Sequence, residues 1–448
     1  MPIAVILVVF VYFDYHERPG ILHHSDIKAL NRGVNSIELE WEETRNTDKY
    51  TIYYKRKGTE YKDWAKLVLD ASSKEENTDD EKTKKQAKIK GLEEGKAYCF
   101  VVRADNEERQ GFNTEGVYFS TRNNQKIEAR DNMTALSISK KMRVEAKAKT
   151  KLSFESSNKK IADVNKRTGK LKIKKAGKVD ITIKAKETKD YIGAEKKVSL
   201  KILPSKPVSS HKAGVNTIYR LDRSNCKTLF SVYSGPTPQS LAFSGDKYMV
   251  AYDNRGIRVF SKDGDLIKIS NSSGIGHANG LTYCHTTKVC YSMRGNSNRI
   301  DIYDPETGKF SSTSVFCGAS GIAYDRVEDV IYMSSRTGIR MFSGDGKFDH
   351  KKIISNVNRS GKIYTQDCCG HGGLVIRCIS PPNKHGINYL DIYNIKKGTY
   401  LGTIEVDLGE VESAIVDNDG YLQLLVNTRN DYIWKTNINI DDIAKSLN

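Results

Sequence analysis

The stretch Asn279–Gly308, NGLTYCHTTKVCYSMRGNSNRIDIYDPETG, decides the fold of the C-terminal half. It holds three short runs in which apolar and polar residues alternate, NGLTY, VCYSM and IDIY, separated by turn-forming residues. The first run recurs about forty residues away on either side, as QSLAF at Gln239 and SGIAY at Ser320. The second recurs as YMVAY at Tyr248 and VIYMS at Val330, and the third as IRVF at Ile257, IRMF at Ile339 and LDIY at Leu390. Where this stretch has PETG, the other units have KDGD, GDGK and KKGT, each leading to an outer strand. Period-two runs of this length are strands. Four strands per forty residues is the blade of a β-propeller.

A less regular unit, KIYTQDCCGHGGLVIRC, follows, with an insertion at SPPNKHG. The last unit, ESAIVDNDGYLQLLVNTRNDYIWKT, supplies only three strands. KTLFSVYS at Lys227 can supply the fourth, which closes the ring and removes the sheet edge. The count favours five blades, and TIYRLD at Thr217 leaves room for a sixth. The propeller is expected over residues 215–448, after a Pro/Ser/Gly linker, PSKPVSSHKAG, over 204–214.

Two regions of different texture precede the linker. In residues 19–123, SIELEWEE points Ile37, Leu39 and Trp41 one way and Glu38, Glu40 and Glu42 the other. YTIYYKRK does the same with Tyr50, Ile52 and Tyr54, and AKIKGLEEGKAYCFVVRA reads as strand, turn and strand. Short alternating runs between turns predict an antiparallel sandwich. The pattern resembles a fibronectin type III domain, through Trp41 and through Leu92 and Tyr98 in GLEEGKAYCFVVRA. The resemblance implies that the Tyr98 hydroxyl ties the preceding loop to its strand. Ala71–Lys85, ASSKEENTDDEKTKK, reads as a solvated loop.

Residues 124–203 centre on FESSNKKIADVNKRTGKLKIKKAGKVDITIKA. Phe154, Ile161, Val164, Leu171, Ile173, Val179, Ile181 and Ile183 can face one core, with Gly169 and Gly177 at tight turns. The order of Ser156-Ser157, Ile161-Ala162 with Val164, Gly169, and Ala176-Gly177 with Ile181 and Ile183 resembles the group-2 bacterial immunoglobulin-like domain. That resemblance implies a spacer or stalk module of a bacterial surface or secreted protein. The expected fold is therefore all-β: two β-sandwich domains followed by a β-propeller.

Composition bounds the function. The chain has 448 residues, too many for one ordinary core, and a formal charge of +17. Such an excess favours polyanionic surroundings, among them the phosphate-rich polymers of a bacterial wall. Nucleic acid is not expected, because the basic residues lie on spacer strands without a recognition helix or an aromatic RNA-binding motif. The eight cysteines form no CxxC pair, which argues against a zinc ribbon or a thioredoxin-type site. They read as small buried apolar groups, with one or two disulfides in the C-terminal half left open.

Pro2–Phe13 is an apolar run of twelve residues, too short to span a bilayer as a helix but matching a secretory h-region. Residues 1–18 are read as an export signal or short anchor, although no Lys or Arg precedes the run and no small-x-small cleavage site follows it. Membrane attachment is expected only through this segment. The reading is of an extracellular or cell-surface monomer from a Gram-positive bacterium.

In a propeller the residues leading into each inner strand lie at one mouth of the central channel. His277 and Asn279 of GHANGLTY belong there, as do Gln239 and Ser320, with the matching positions of the last two units near Asp367 and Glu412. His371 lies in GHGG, residues 370–373. The candidate ligand-binding set is His277, Asn279, His371 and Glu412; it could hold a sugar or a divalent cation in the channel. HANGL resembles the strand entrance of lactonase- and lyase-type propellers, where Asn and Glu hold a metal. No carboxylate set for acid/base chemistry recurs at the inner entrances, so no catalytic residue is assigned. No phosphate-binding loop, nucleophile elbow, HExxH or calcium loop is present. The leading expectation is adhesion: sandwich spacers carrying a propeller that binds a glycan, an anionic wall polymer or a host protein. The alternatives are a secreted metal-dependent lactonase or lyase, and a wholly structural role.

Overall fold

The computed structural model describes residues 17–71, 83–209, 214–295, 297–345, 352–357, 359–383, 386–428 and 430–447. The apolar run Pro2–Phe13 and most of the loop Ala71–Lys85 lie outside the described residues. The chain falls into two compact units: residues 1–129, 146–153 and 183–196 form one, and residues 130–145, 154–182 and 197–448 the other. Residues 124–203 are divided between them.

In the first unit, Lys28–Arg32, Ser36–Glu42 and Lys84–Lys90 form a three-stranded sheet. A five-stranded sheet runs Ala65–Asp70, Lys49–Arg56, Ala97–Asp105, Gln110–Asn113, with Val117–Ser120 also paired to Ala97–Asp105. Ile37, Leu39 and Trp41 meet Tyr50, Ile52, Phe100 and Val102 in one core, as alternation requires. The Trp41 and Tyr50 rings pack edge to face, 5.3 Å between centroids. Thr51 breaks the alternation. It is buried on the opposite face because its hydroxyl donates to Asp105 (3.0 Å), a buried carboxylate paired with Arg103. The Tyr98 hydroxyl accepts the Glu93 N–H at 2.8 Å, pinning the loop that carries the buried Leu92.

Downstream, a four-stranded sheet has the order Asn132–Leu136, Ala194–Leu203, Gly177–Ala185, Leu152–Ser156, its first pair parallel. Ala162–Val164 pairs separately with Leu171–Ile173. Phe154, Leu171, Val179, Ile181 and Ile183 are buried, whereas Ile161, Val164 and Ile173 are only half-buried. Gly169 has φ +70°, and a Cβ there would lie 2.6 Å from the Val144 carbonyl, so the turn needs glycine.

The C-terminal region is built from sheets of antiparallel strands. The first contains Pro238–Phe243, Lys247–Tyr252, Gly256–Ser261 and Leu266–Ser270. The second contains Gly280–Cys284, Val289–Met293, Ser297–Tyr303 and Phe310–Ala319. The third contains Gly321–Asp325, Val330–Ser334, Gly338–Ser343 and Lys352–Ser355. The fourth contains Tyr364–His371, Leu374–Ser380, Asn388–Asn394 and Thr399–Val406. In the fifth, Glu410–Val416, Tyr421–Asn427 and Tyr432–Asn439 are completed by Cys226–Ser231 from the start of the region. The first strands of the five sheets pack side by side in a closed cycle, the fifth against the first. Such a ring of radial four-stranded sheets, locked by pairing the two ends of the region, is a β-propeller. Its inner strands are buried on both faces, so Pro238–Phe243 and Glu410–Val416 read as continuous buried runs and not as alternating ones.

Two elements depart from the sequence reading. Thr217–Leu221, which left room for a sixth blade, runs parallel to Thr399–Val406 as an added outer strand of the fourth sheet. The segment 204–214, read as a linker, is held in part: Val208–Ser209 pairs with Thr399–Tyr400, and buried Ser205 donates to the Leu401 carbonyl at 2.7 Å. The described residues are nearly all β, as expected; to the strands they add an α-helix, Ile440–Leu447. Asn439 caps it by accepting the Asp442 N–H at 2.9 Å. Ile440, Ile443 and Ala444 bury its apolar face among Leu136, Leu203 and the fourth and fifth sheets. Asp442 accepts the Thr134 N–H at 3.0 Å, and Ser446 bonds Ser139 at 2.7 Å. Among the described residues seven cysteines are free, six of them buried.

Candidate functional site

The inner strands all begin at one mouth of the propeller and end at the other. At the beginning mouth, the chain enters the second blade through Gly276, whose φ of +54° turns the backbone, and a tight turn in which Asn279 N–H bonds the His277 carbonyl at 3.0 Å. This presents His277 to solvent, its Nδ1 3.1 Å from the Asp253 carboxylate, both groups exposed. Asn279 is half-buried and reaches Gln366 of the fourth blade, Nδ2 to Oε1 at 3.4 Å. Glu412 lies at the same end of the fifth blade but is buried, and it accepts from Asn427 at 2.6 Å.

His371 does not join this set. It is the last residue of its inner strand, at the other end of the channel, and is buried. Its Nε2 lies 3.2 Å from Asp441 on the C-terminal helix. That bond, with a second from Lys445, holds the Asp441 carboxyl down at about 2. The place of His371 at the end of the strand separates it from His277, Asn279 and Glu412. Among the described residues no group of three or more His, Cys, Asp or Glu side chains is placed to hold a metal ion.

Between the mouths lies the group that the sequence reading only approached. Asp367 is fully buried on the propeller axis. One of its oxygens accepts from the N–H groups of Ile322 (3.1 Å) and Cys368 (2.8 Å). The other accepts from the Leu281 N–H (3.3 Å) and the Ser413 hydroxyl (2.7 Å). One carboxyl therefore ties the second, third, fourth and fifth blades together. Burial pushes its pKa up to about 8 against the pull of these donors, and no cation pairs with it among the described residues. Gly280 and Gly321 let it in: a Cβ at either would lie under 3.0 Å from Asp367.

At the far mouth a narrow space of about 50 Å³ is bounded by Phe243, Tyr283, His285, Tyr324 and Arg326. His285 lies 5.0 Å from Tyr283 and 5.9 Å from Tyr324, ring centre to ring centre, and burial lowers its pKa. Arg326 is held by Asn418 (2.8 Å) and the Asp417 carbonyl (3.0 Å).

No family model matches the chain, and no curated protein matches it. Among solved structures, the chain is similar to one in a nidogen/laminin complex, at 13% identity over 48% of this chain and 83% of that one, with a TM-score of 0.35. It is also similar to a structural-genomics protein of unknown function from Bacteroides thetaiotaomicron (11% identity, 70% and 97% covered, TM-score 0.31). A third is the Pan2 WD40 domain of Neurospora crassa (10% identity, 50% and 99% covered, TM-score 0.33). The propeller assignment rests on the strand pairing, not on these superpositions.

Proposed function

We propose that this chain is an exported bacterial surface protein whose five-bladed propeller recognises a carbohydrate, with fibronectin type III-like and bacterial immunoglobulin-like modules as spacers. One observation carries the binding role. Near the start of each of the five inner strands stands a polar residue, Gln239, Asn279, Ser320, Gln366 or Glu412, with Asn279 half-buried and the other four buried. Amide, hydroxyl and carboxylate groups in a ring supply the mixed donors and acceptors that a polyol needs. The exposed His277 stands beside them. Binding is favoured over chemistry because the acid on the axis, Asp367, has both oxygens engaged by the fold.

The test is a glycan array probed with the full chain, alongside Asn279→Ala and Gln366→Ala. A bound glycan whose signal drops at least tenfold in both variants, with melting temperature held, supports the reading. Absence of any bound glycan, or binding indifferent to both changes, counts against it.

A further inference from the structure

A large cavity lies outside the channel. It is a cleft of about 900 Å³ between the sheet containing Gly177–Ala185 and Ala194–Leu203 and the outer strands of the fifth blade. Its size is that of a small-molecule site. Four lysines line it: Lys178 and Lys201 from that sheet, Lys227 and Lys435 from the blade.

These lysines are not equivalent. Lys435 is neutralised, its ammonium 2.6 Å from Asp417. Among the described residues, Lys178, Lys201 and Lys227 have no carboxylate partner. Asp180, the acid that lines the cleft, accepts from the Ser199 hydroxyl at 2.6 Å. Lys201 is half-buried and donates to a neutral group, the Tyr219 hydroxyl, at 2.8 Å. Burial first, and then the charge of neighbouring Lys178, bring its pKa down to about 8. Cys226 beside it is held protonated by burial, its thiol pushed up to about 12. The fold has thus gathered three ammonium groups along a cavity wall whose one lining carboxylate outside the Lys435 pair, Asp180, is ion-paired with none of them.

Most lysines of residues 124–203 are solvated singly and need no explanation. Lys178 and Lys201 differ because they line one cleft with Lys227 of the fifth blade, Lys201 half-buried there and the other two exposed. An anion entering the cleft would relieve their repulsion. A phosphate group suits this better than a single carboxylate: it brings up to two charges and several acceptor oxygens, enough for two ammonium groups at once.

We propose that this cleft is a binding site for a phosphate-bearing ligand, held by Lys178, Lys201 and Lys227. The site is separate from the channel mouth, and the proposal stands whether or not the mouth binds a glycan. The ligand could be a free polyphosphorylated molecule or a segment of a phosphate-linked polymer.

The test is calorimetric titration of the full chain with inorganic pyrophosphate and, separately, with long-chain polyphosphate. Polyglutamate serves as a carboxylate control. Saturable binding of a phosphate probe is expected, weakened at least tenfold in the Lys178→Met/Lys201→Met double variant and in Lys227→Met. The exposed Lys227 change covers the case in which the double variant fails to fold. Lys172→Met, outside the cleft, and Asn279→Ala, at the channel mouth, should leave the affinity unchanged. Tight pyrophosphate binding points to a free ligand, and polyphosphate binding alone points to a polymer. No saturable binding, equal binding of polyglutamate, or an equal loss with Lys172→Met would overturn the proposal.

Discussion

The propeller axis and the lysine cleft both gather ionisable groups from several strands, and they treat them in opposite ways. On the axis, one carboxyl from the fourth blade is bonded by donors from three other blades and from its own backbone. In the cleft, three ammonium groups line a cavity and, among the described residues, none of them is ion-paired with a carboxylate. Convergence alone therefore does not mark a site. A group with every oxygen engaged holds the fold together, whereas like charges left facing a cavity are available to something outside it. The axis looked the better candidate from sequence, because the repeat sends its strand entrances there.

The largest effect expected from this contrast is that of Asp367→Ala. It would leave the N–H groups of Leu281, Ile322 and Cys368 buried without an acceptor, at about 1–3 kcal/mol each. Urea unfolding should show a loss of about 3 kcal/mol or more. A loss below about 1 kcal/mol would mean that water reaches the axis.

The next effect is a pH dependence. The Asp367 pKa is raised in the fold to about 8, whereas an unfolded aspartate titrates near about 3.9. The folded state therefore holds a proton that the unfolded state has lost. This contribution is fully present below about pH 4 and is lost as the pH rises toward about 8, at up to about 1.4 kcal/mol per pH unit. Unfolding midpoints at pH 5 and pH 8 should differ in that direction, and Asp367→Asn should remove this part of the difference.

The cleft should show a pH response of opposite sign and smaller size. Lys201 has its pKa lowered to about 8, so the unfolded state holds the extra proton between there and the ordinary lysine value. Stability from this group should rise over that window. Lys201→Met should abolish the rise, and saturating polyphosphate should blunt it. The smallest effect is that of Asn279→Ala. Its side-chain bond to Gln366 is 3.4 Å long, and the change should alter stability by less than about 0.5 kcal/mol.

Much of the propeller was legible in the sequence because its strands repeat. The closing strand Cys226–Ser231 falls at the Lys227 run singled out for that role, since only an N-terminal strand could complete a three-stranded last unit. The C-terminal helix was legible too, yet went unread. Asn439 is a good cap, Asp441 and Asp442 stand in the first turn, and Ile440, Ile443, Ala444 and Leu447 share one face. Asp367 could be placed near the channel but not assigned its donors, because the Leu281 and Ile322 N–H groups and the Ser413 hydroxyl reach it only across blades. The cleft was the least legible. Lys178 and Lys201 look like any outward-facing lysines on strands, and nothing local shows that Lys227 lines the same cleft.

Hydrogen–deuterium exchange on the full chain, with and without long-chain polyphosphate, tests both halves of the contrast at once. The amides of Leu281, Ile322 and Cys368 should be among the slowest to exchange and indifferent to the added polymer. Peptides spanning 197–203 and 224–231 should slow when it is present. Rapid exchange on the axis, or protection by polyphosphate that appears at the channel and not at the cleft, would contradict the account.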